Sequence, residues 1–208
     1  MMYIDETLGQ FLDDLSSSQP TPGGGSASAL SGALGAALAS MVCRLTLDKD
    51  EYAGVQQEVA ALLQQTENLR QRFQQLVQED IEAYGELSES FKMPRETSEE
   101  REARTAAIQE QLVEAALVPL EVTERSAQLM RVCQRIAEIG NAKVLSDVAT
   151  GAMLASSAGA GAAWIVRVNL QSIKDLELVT TLGERLSKAL DLITECSQQV
   201  TSIVGART

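Results

Sequence analysis

Apolar residues return every three to four positions through most of the chain, and no run alternates with the period of two that a half-buried strand requires. The pattern predicts helices throughout. A short first helix carries Leu8, Phe11, Leu12 and Leu15 on one face, with Asp5 placed to cap it. A Ser/Thr/Pro/Gly stretch from 16 to 25 breaks the chain, and a second helix is expected from about Ser26 to Asp48. Along it, Ser28, Gly32, Ala36 and Ser40 repeat every four residues, a smooth stripe where another backbone can come close. A long third helix is predicted from Glu51 to Ser90. Its apolar positions Val55, Val59, Leu62, Leu69, Phe73, Leu76 and Leu87 follow alternating steps of four and three, and Thr66 and Asp80 interrupt that seam.

After a loop from Lys92 to Thr97, Thr97 with Glu100 spells a capping box for a fourth helix. Pro119 falls inside it and predicts a kink, and Gly140 ends it. Ser146-Asp147 can cap a fifth helix with its own small stripe, Gly151, Ala155, Gly159 and Ala163, expected to pack against the first stripe. Asp175 can start a sixth, running to about Val204 on Leu182, Leu186, Leu190 and Ile193. No repeat or linker divides the chain. The expectation is an all-α fold, a bundle of long antiparallel helices forming one domain over residues 1–208.

Composition narrows this picture. The chain is 45% hydrophobic but only 3% aromatic, so its core must be aliphatic and alanine-rich, which suits close helix packing. A net charge of -12 speaks against nucleic-acid binding, because a polyanion needs a basic face. Histidine is absent, which removes the commonest general base and metal ligand and leaves Asp, Glu, Lys, Tyr or Cys for acid–base work. Cys43, Cys133 and Cys196 are far apart in apolar helical settings, so neither a zinc site nor a disulfide framework is indicated, and buried thiols in a reducing cytoplasm are expected. The first fifteen residues lack the basic start and apolar run of a signal peptide. Ala27 to Leu47 approaches the length of a membrane span, but it is rich in Ala, Gly and Ser and holds Arg44, so no membrane insertion is expected.

Four features can carry chemistry. Pro22-Gly23-Gly24-Gly25-Ser26 opens a helix. Its glycines permit unusual backbone angles, and its free N–H groups suit an anion, but the same sequence serves equally as a helix start capped by Ser26 or Gly25. Asp80 on an apolar seam is costly to desolvate unless paired or useful, and Tyr84 lies one turn on. Burial would raise its pKa, as suits a general acid or base; a solvent-open seam end is the plainer reading. Lys92-Met93-Pro94-Arg95 is a local basic loop that fits a carboxylate-bearing ligand or a solvated connection. The Asn141 to Asp147 segment is either a helix start or a ligand contact. Asn169 and Asp175 are weaker candidates, and Thr97 to Arg104 reads as a solvated helix face.

Taken in order, these segments resemble the formimidoyltetrahydrofolate cyclodeaminase / methenyltetrahydrofolate cyclohydrolase family. The resemblance rests on Pro22-Gly23-Gly24-Gly25-Ser26 with the small residues up to Met41-Val42, and on Asp80, Tyr84 and Phe91-Lys92-Met93-Pro94. It continues through Ala116 with Val118-Pro119-Leu120, Gly140-Asn141, Ser146-Asp147 and Asn169-Leu170. Glu96 to Glu100 with Ala107-Ile108-Gln109 is most similar to the stand-alone bacterial cyclohydrolase branch. The chain departs from the family at Ala142-Lys143, where a second Asn is usual, and at Ile165-Val166, where Asn-Val is frequent.

The resemblance implies a helical homodimer that binds a tetrahydrofolate derivative near the subunit interface, with no metal and no cofactor beyond the folate. It implies hydrolysis of 5,10-methenyltetrahydrofolate to the 10-formyl form; the alternatives are ring closure of the 5-formimino form with loss of ammonia, or a non-catalytic folate-binding module. Asp80 would activate water or steady the amidinium, Lys92 would donate a proton or meet the substrate's tail, and Asp147 would hold the pterin edge. Gly23, Gly24, Gly25 and Ser26, together with Tyr84, Asn141, Ser146 and Asn169, would contact the ligand.

Overall fold

The computed structural model describes residues 3–207 and contains no strand among them. Six α-helices follow one another: α1 (Leu8–Leu15), α2 (Gly24–Thr46), α3 (Gln56–Lys92), α4 (Ser98–Ile139), α5 (Leu145–Leu170) and α6 (Leu176–Arg207). Short 3-10 turns stand before α1, α3 and α5. The capping box at Thr97 forms as expected, and the Leu178 N–H donates to Asp175 at 3.0 Å. Three starts differ. Thr7, rather than Asp5, supplies the oxygen that caps α1, because its hydroxyl reaches the Gln10 N–H. Gly23 caps α2, with Ser26 three residues inside and closing back on it. Asn141 caps the 3-10 turn before α5, so Ser146 and Asp147 already lie within that helix. Helix α4 runs unbroken through Pro119.

Helices α2, α3, α4 and α5 form a ring, each packing on the next, and α6 closes the outer side of α4 and α5. Alanine and glycine make this ring tight. A Cβ added to Gly35 would stand 2.7 Å from the Gly151 carbonyl oxygen, so only glycine lets α2 and α5 approach this closely. The two small stripes meet only in part: Gly151 and Ala155 of the second stripe pack on α2, and Ser28 of the first lies against Gly161 of α5. Gly32 is covered by the Phe73 ring of α3, and Ser40 donates to Thr66 of α3 at 2.8 Å, while Gly159 faces Ile193 of α6. On the α2 side the contact uses the neighbouring row, Gly35 against Gly151 and Ser31 donating to the Leu154 carbonyl. A stripe of small residues declares that a close neighbour exists, but not which one.

The main core runs through the ring around Phe73, Leu76, Leu129 and Met130. A second cluster, with Leu87, Leu120, Val166 and Leu182, fills the end of the bundle where α2 begins. All three cysteines are buried and free. Burial pushes the Cys43 and Cys133 thiols up to about 12, which leaves them protonated and unreactive.

Candidate functional site

The chain enters α2 through Gly23 in an extended conformation, with φ -134° and ψ -159°. The Gly23 N–H donates to the Ser26 hydroxyl oxygen at 2.9 Å. No glycine of the turn has a positive φ, so its glycines do not serve backbone geometry. They serve space. A Cβ on Gly25 would fall 1.9 Å from Oδ1 of Asp80, because the Asp80 carboxylate lies directly on the first turn of α2. Gly24 has room by comparison: a Cβ there would make only a 3.6 Å contact with Ile165.

Asp80 reaches this position from the middle of α3, where the seam faces α2. Desolvation by burial raises its pKa, and the Ser26 backbone N–H and hydroxyl partly counter the rise. The first-turn amides add the positive end of the α2 dipole beneath the carboxylate. The net result is a carboxyl group whose pKa is raised, with burial as the dominant cause.

A cleft of about 260 Å³ opens over it. The glycine turn and Thr21 form one wall, Asp80 and Tyr84 another, and Ile165, Val168 and Asn169 of α5 the third. Asn169 is held by donating to the Ala115 carbonyl at 2.6 Å. Thus Gly23, Gly24, Gly25, Asp80, Tyr84 and Asn169 meet at one site, although α2, α3 and α5 bring them from widely separated sequence positions. Leu87, Ala83 and Ala115 keep its floor apolar. The sequence reading missed Ile165 and Val168 as cleft residues. Their signal was available: they stand one turn and one residue before Asn169 on the same helix.

The other candidates lie elsewhere within the subunit. Lys92 ends α3 outside the cleft lining, exposed, with its ammonium 2.6 Å from Glu89. Asn141 is 2% exposed, and its groups are taken internally: the backbone N–H donates to Thr46, the side-chain amide to the Leu45 carbonyl, and its oxygen accepts from Lys143. It therefore closes the C-terminal end of α2. Ser146 and Asp147 sit beside it in the first turn of α5. Since α2 has 23 residues, this end is about 34 Å from the glycine turn at 1.5 Å per residue. Among the described residues, no group of three or more Cys, Asp or Glu is arranged to hold a metal ion.

A helical bundle that seats a desolvated carboxylate on a helix N-terminus, beneath a small apolar cleft, is built for acid–base work on a small molecule. Residues 7–188 match the formiminotransferase-cyclodeaminase family, and the chain belongs to that family. It is 38% identical over 194 residues to a methenyltetrahydrofolate cyclohydrolase of Methylorubrum extorquens, covering 93% of this chain and 92% of that one. It is 32% identical over 203 residues to the formimidoyltransferase-cyclodeaminase of Rattus norvegicus, where it spans 98% of itself but only 37% of the longer protein. The crystal structure of formiminotetrahydrofolate cyclodeaminase from Thermotoga maritima superposes with a TM-score of 0.88 at 28% identity, over 97% of both chains.

Proposed function

We propose that the protein hydrolyses 5,10-methenyltetrahydrofolate to 10-formyltetrahydrofolate. The observation that carries this reading is the Asp80 carboxylate, desolvated and seated on Gly25 at the start of α2. In the substrate, one carbon is held between N5 and N10 as an amidinium. Asp80 takes a proton from water as the oxygen adds to that carbon, giving a neutral tetrahedral adduct. It returns the proton to N5 as the carbon–N5 bond breaks. The adduct's hydroxyl then loses its proton to solvent as the formyl C=O forms on N10, so one proton is released per turnover. Gly23, Gly24, Tyr84 and Asn169 position the folate, while the fully buried Ser26 acts from beneath by holding Asp80.

The active unit is a homodimer. Helices α2 and α5 present an outer face on which Leu34, Met41, Met153, Trp164 and Val168 are exposed. Both helices are apolar and long enough to cross a membrane by length and composition alone. A second copy laid on this face about a twofold axis covers those side chains. With that axis perpendicular to the antiparallel α2 and α5, the partner's Ser146–Asp147 end comes toward the glycine turn, where Asp147 can hold the pterin edge and complete the site. The three buried, free thiols suit a reducing cytoplasm, and no cofactor beyond the folate is invoked.

The test is loss of methenyltetrahydrofolate absorbance with purified protein, measured against the spontaneous rate. Folded protein that gives no acceleration refutes the activity. Mixing inactive Asp80→Asn with inactive Asp147→Asn chains tests the shared site: recovery of activity supports it, and none refutes it. The likeness to the Thermotoga maritima cyclodeaminase supports a second reading, ring closure of 5-formiminotetrahydrofolate with loss of ammonia, and comparing turnover of the two substrates decides between them. Ala142 and Ile165, where the family pattern is broken, motivate the non-catalytic alternative, which binding without turnover would establish.

A further inference from the structure

A second concavity, about 530 Å³, lies between α3 and α4, on the side of the ring opposite the α2–α5 face. Its rim carries Gln65, Asn68 and Arg72 from α3 and Arg125, Gln128 and Arg131 from α4. Its floor is Leu69 and Val132, each less than 10% exposed. In a chain of net charge -12, no carboxylate lines it.

The hydrogen-bonding state of the rim is one-sided. Arg72 is consumed by Glu121 and Glu79 outside the groove, which fixes it as a wall. Arg125 is held by Glu121 and gives one N–H to the Gln128 carbonyl oxygen. The Asn68 carbonyl oxygen is likewise taken, by Gln64 at 2.9 Å. The amide NH₂ groups of Asn68 and Gln128 are therefore left to face a ligand. Arg131 forms no ion pair among the described residues, so its whole guanidinium fork is available. Three guanidinium groups against the two carboxylates of Glu79 and Glu121 leave one uncompensated positive charge over an apolar floor.

From this arrangement we infer a binding site for a small organic anion, with an oxyanion head on Arg131, Asn68 and Gln128 and a flat or aliphatic body on Leu69 and Val132. An oxyanion accepts hydrogen bonds and donates none, so it matches the N–H groups of Arg131, Asn68 and Gln128, and the apolar floor rewards a body that a bare ion lacks. The volume falls within the usual range of small-molecule sites. Carboxylates and phosphates share this chemistry. The site is separate from the cleft over Asp80 and does not depend on the reaction assigned there.

Isothermal titration of the full chain with phenyl phosphate, benzoate and inorganic phosphate tests the proposal. Phenyl phosphate or benzoate should bind, with inorganic phosphate about tenfold weaker or more because it leaves the floor wet. Which organic probe wins identifies the head group. Arg131→Gln, an exposed change that should leave the fold and the methenyltetrahydrofolate turnover intact, should weaken binding by about tenfold, the scale of one lost hydrogen bond to a charged group. No heat with either organic anion, equal binding of inorganic phosphate, or unchanged binding in folded Arg131→Gln would each overturn it.

Discussion

Replacing Gly25 by alanine adds one methyl group, yet it should remove most of the activity. The new Cβ would stand 1.9 Å from Oδ1, 2.5 Å from Cγ and 2.7 Å from Oδ2 of Asp80. Non-bonded heavy atoms reach their optimum near 3.5 Å, so the carboxylate must withdraw by about 1.5 Å. It cannot do so along its own axis without lifting off the Ser26 N–H and hydroxyl that hold it. A misplacement of that size in a reacting group costs on the order of a hundredfold in rate, or about 2.7 kcal/mol of barrier. The fold should survive, because alanine is favoured over glycine in a helical turn by about 1 kcal/mol. Gly24→Ala is the internal control: its Cβ makes an ordinary 3.6 Å contact with Ile165 and leaves Asp80 alone. Initial rates of methenyltetrahydrofolate loss, with circular dichroism to confirm folding, decide the matter. Gly25→Ala retaining wild-type kcat/KM, or Gly24→Ala being equally damaged, would refute the argument that this turn is glycine for the sake of the carboxylate.

Asp80→Asn should lower turnover by about a hundredfold to ten-thousandfold, the span of general acid–base catalysis, and thermal melts at neutral pH should show it at least as stable as wild type because it no longer buries a charge. The pH dependence has a definite sign. The folded pKa of Asp80 is raised above its ordinary 3.8, so the folded state holds the proton more tightly than the unfolded chain. Wild type should therefore lose stability relative to Asp80→Asn as pH rises from that value through the raised one. Since the ionised form is the base, kcat/KM should fall on acidification at a pH above the ordinary aspartate range. Glu121 behaves oppositely: Arg72, then Arg125, hold it down at about 2, so its contribution to stability is present above its ordinary 4.5 and disappears as pH falls toward 2, to be read from acid unfolding of wild type and Glu121→Gln. Gly32→Ala places a Cβ 2.5 Å from the fully buried Phe73 ring and should cost about 1–3 kcal/mol in denaturant unfolding, without the selective activity loss of Gly25→Ala.

Helix periodicity, the Thr97–Glu100 box and the Asp175 cap are local, and each could be read from a few consecutive residues. So could the seam of α3, including the anomaly of a carboxylate within it. The role of the glycine turn was not legible in the same way. A run of glycines suggests unusual backbone angles, but here φ stays negative and the vacant Cβ position of Gly25 is filled by a side chain from α3, a helix that begins only at Gln56. Asn141 shows the converse: an exposed-looking polar residue after a helix is used up internally, because Thr46 and Leu45 end α2 beside it.

Residue order alone thus determined six helices, the caps at Thr97 and Asp175, and the acidic, histidine-free chemistry available to them, because these depend on contacts within a turn or two. Tertiary packing decided which stripes meet, that Gly23, Asp80 and Asn169 share a cleft while Asn141 and Asp147 lie a helix length away, and that Ile165 and Val168 complete a wall. The physical reason is that antiparallel helices join residues by axial height and rotation, and small residues permit close approach without naming the partner.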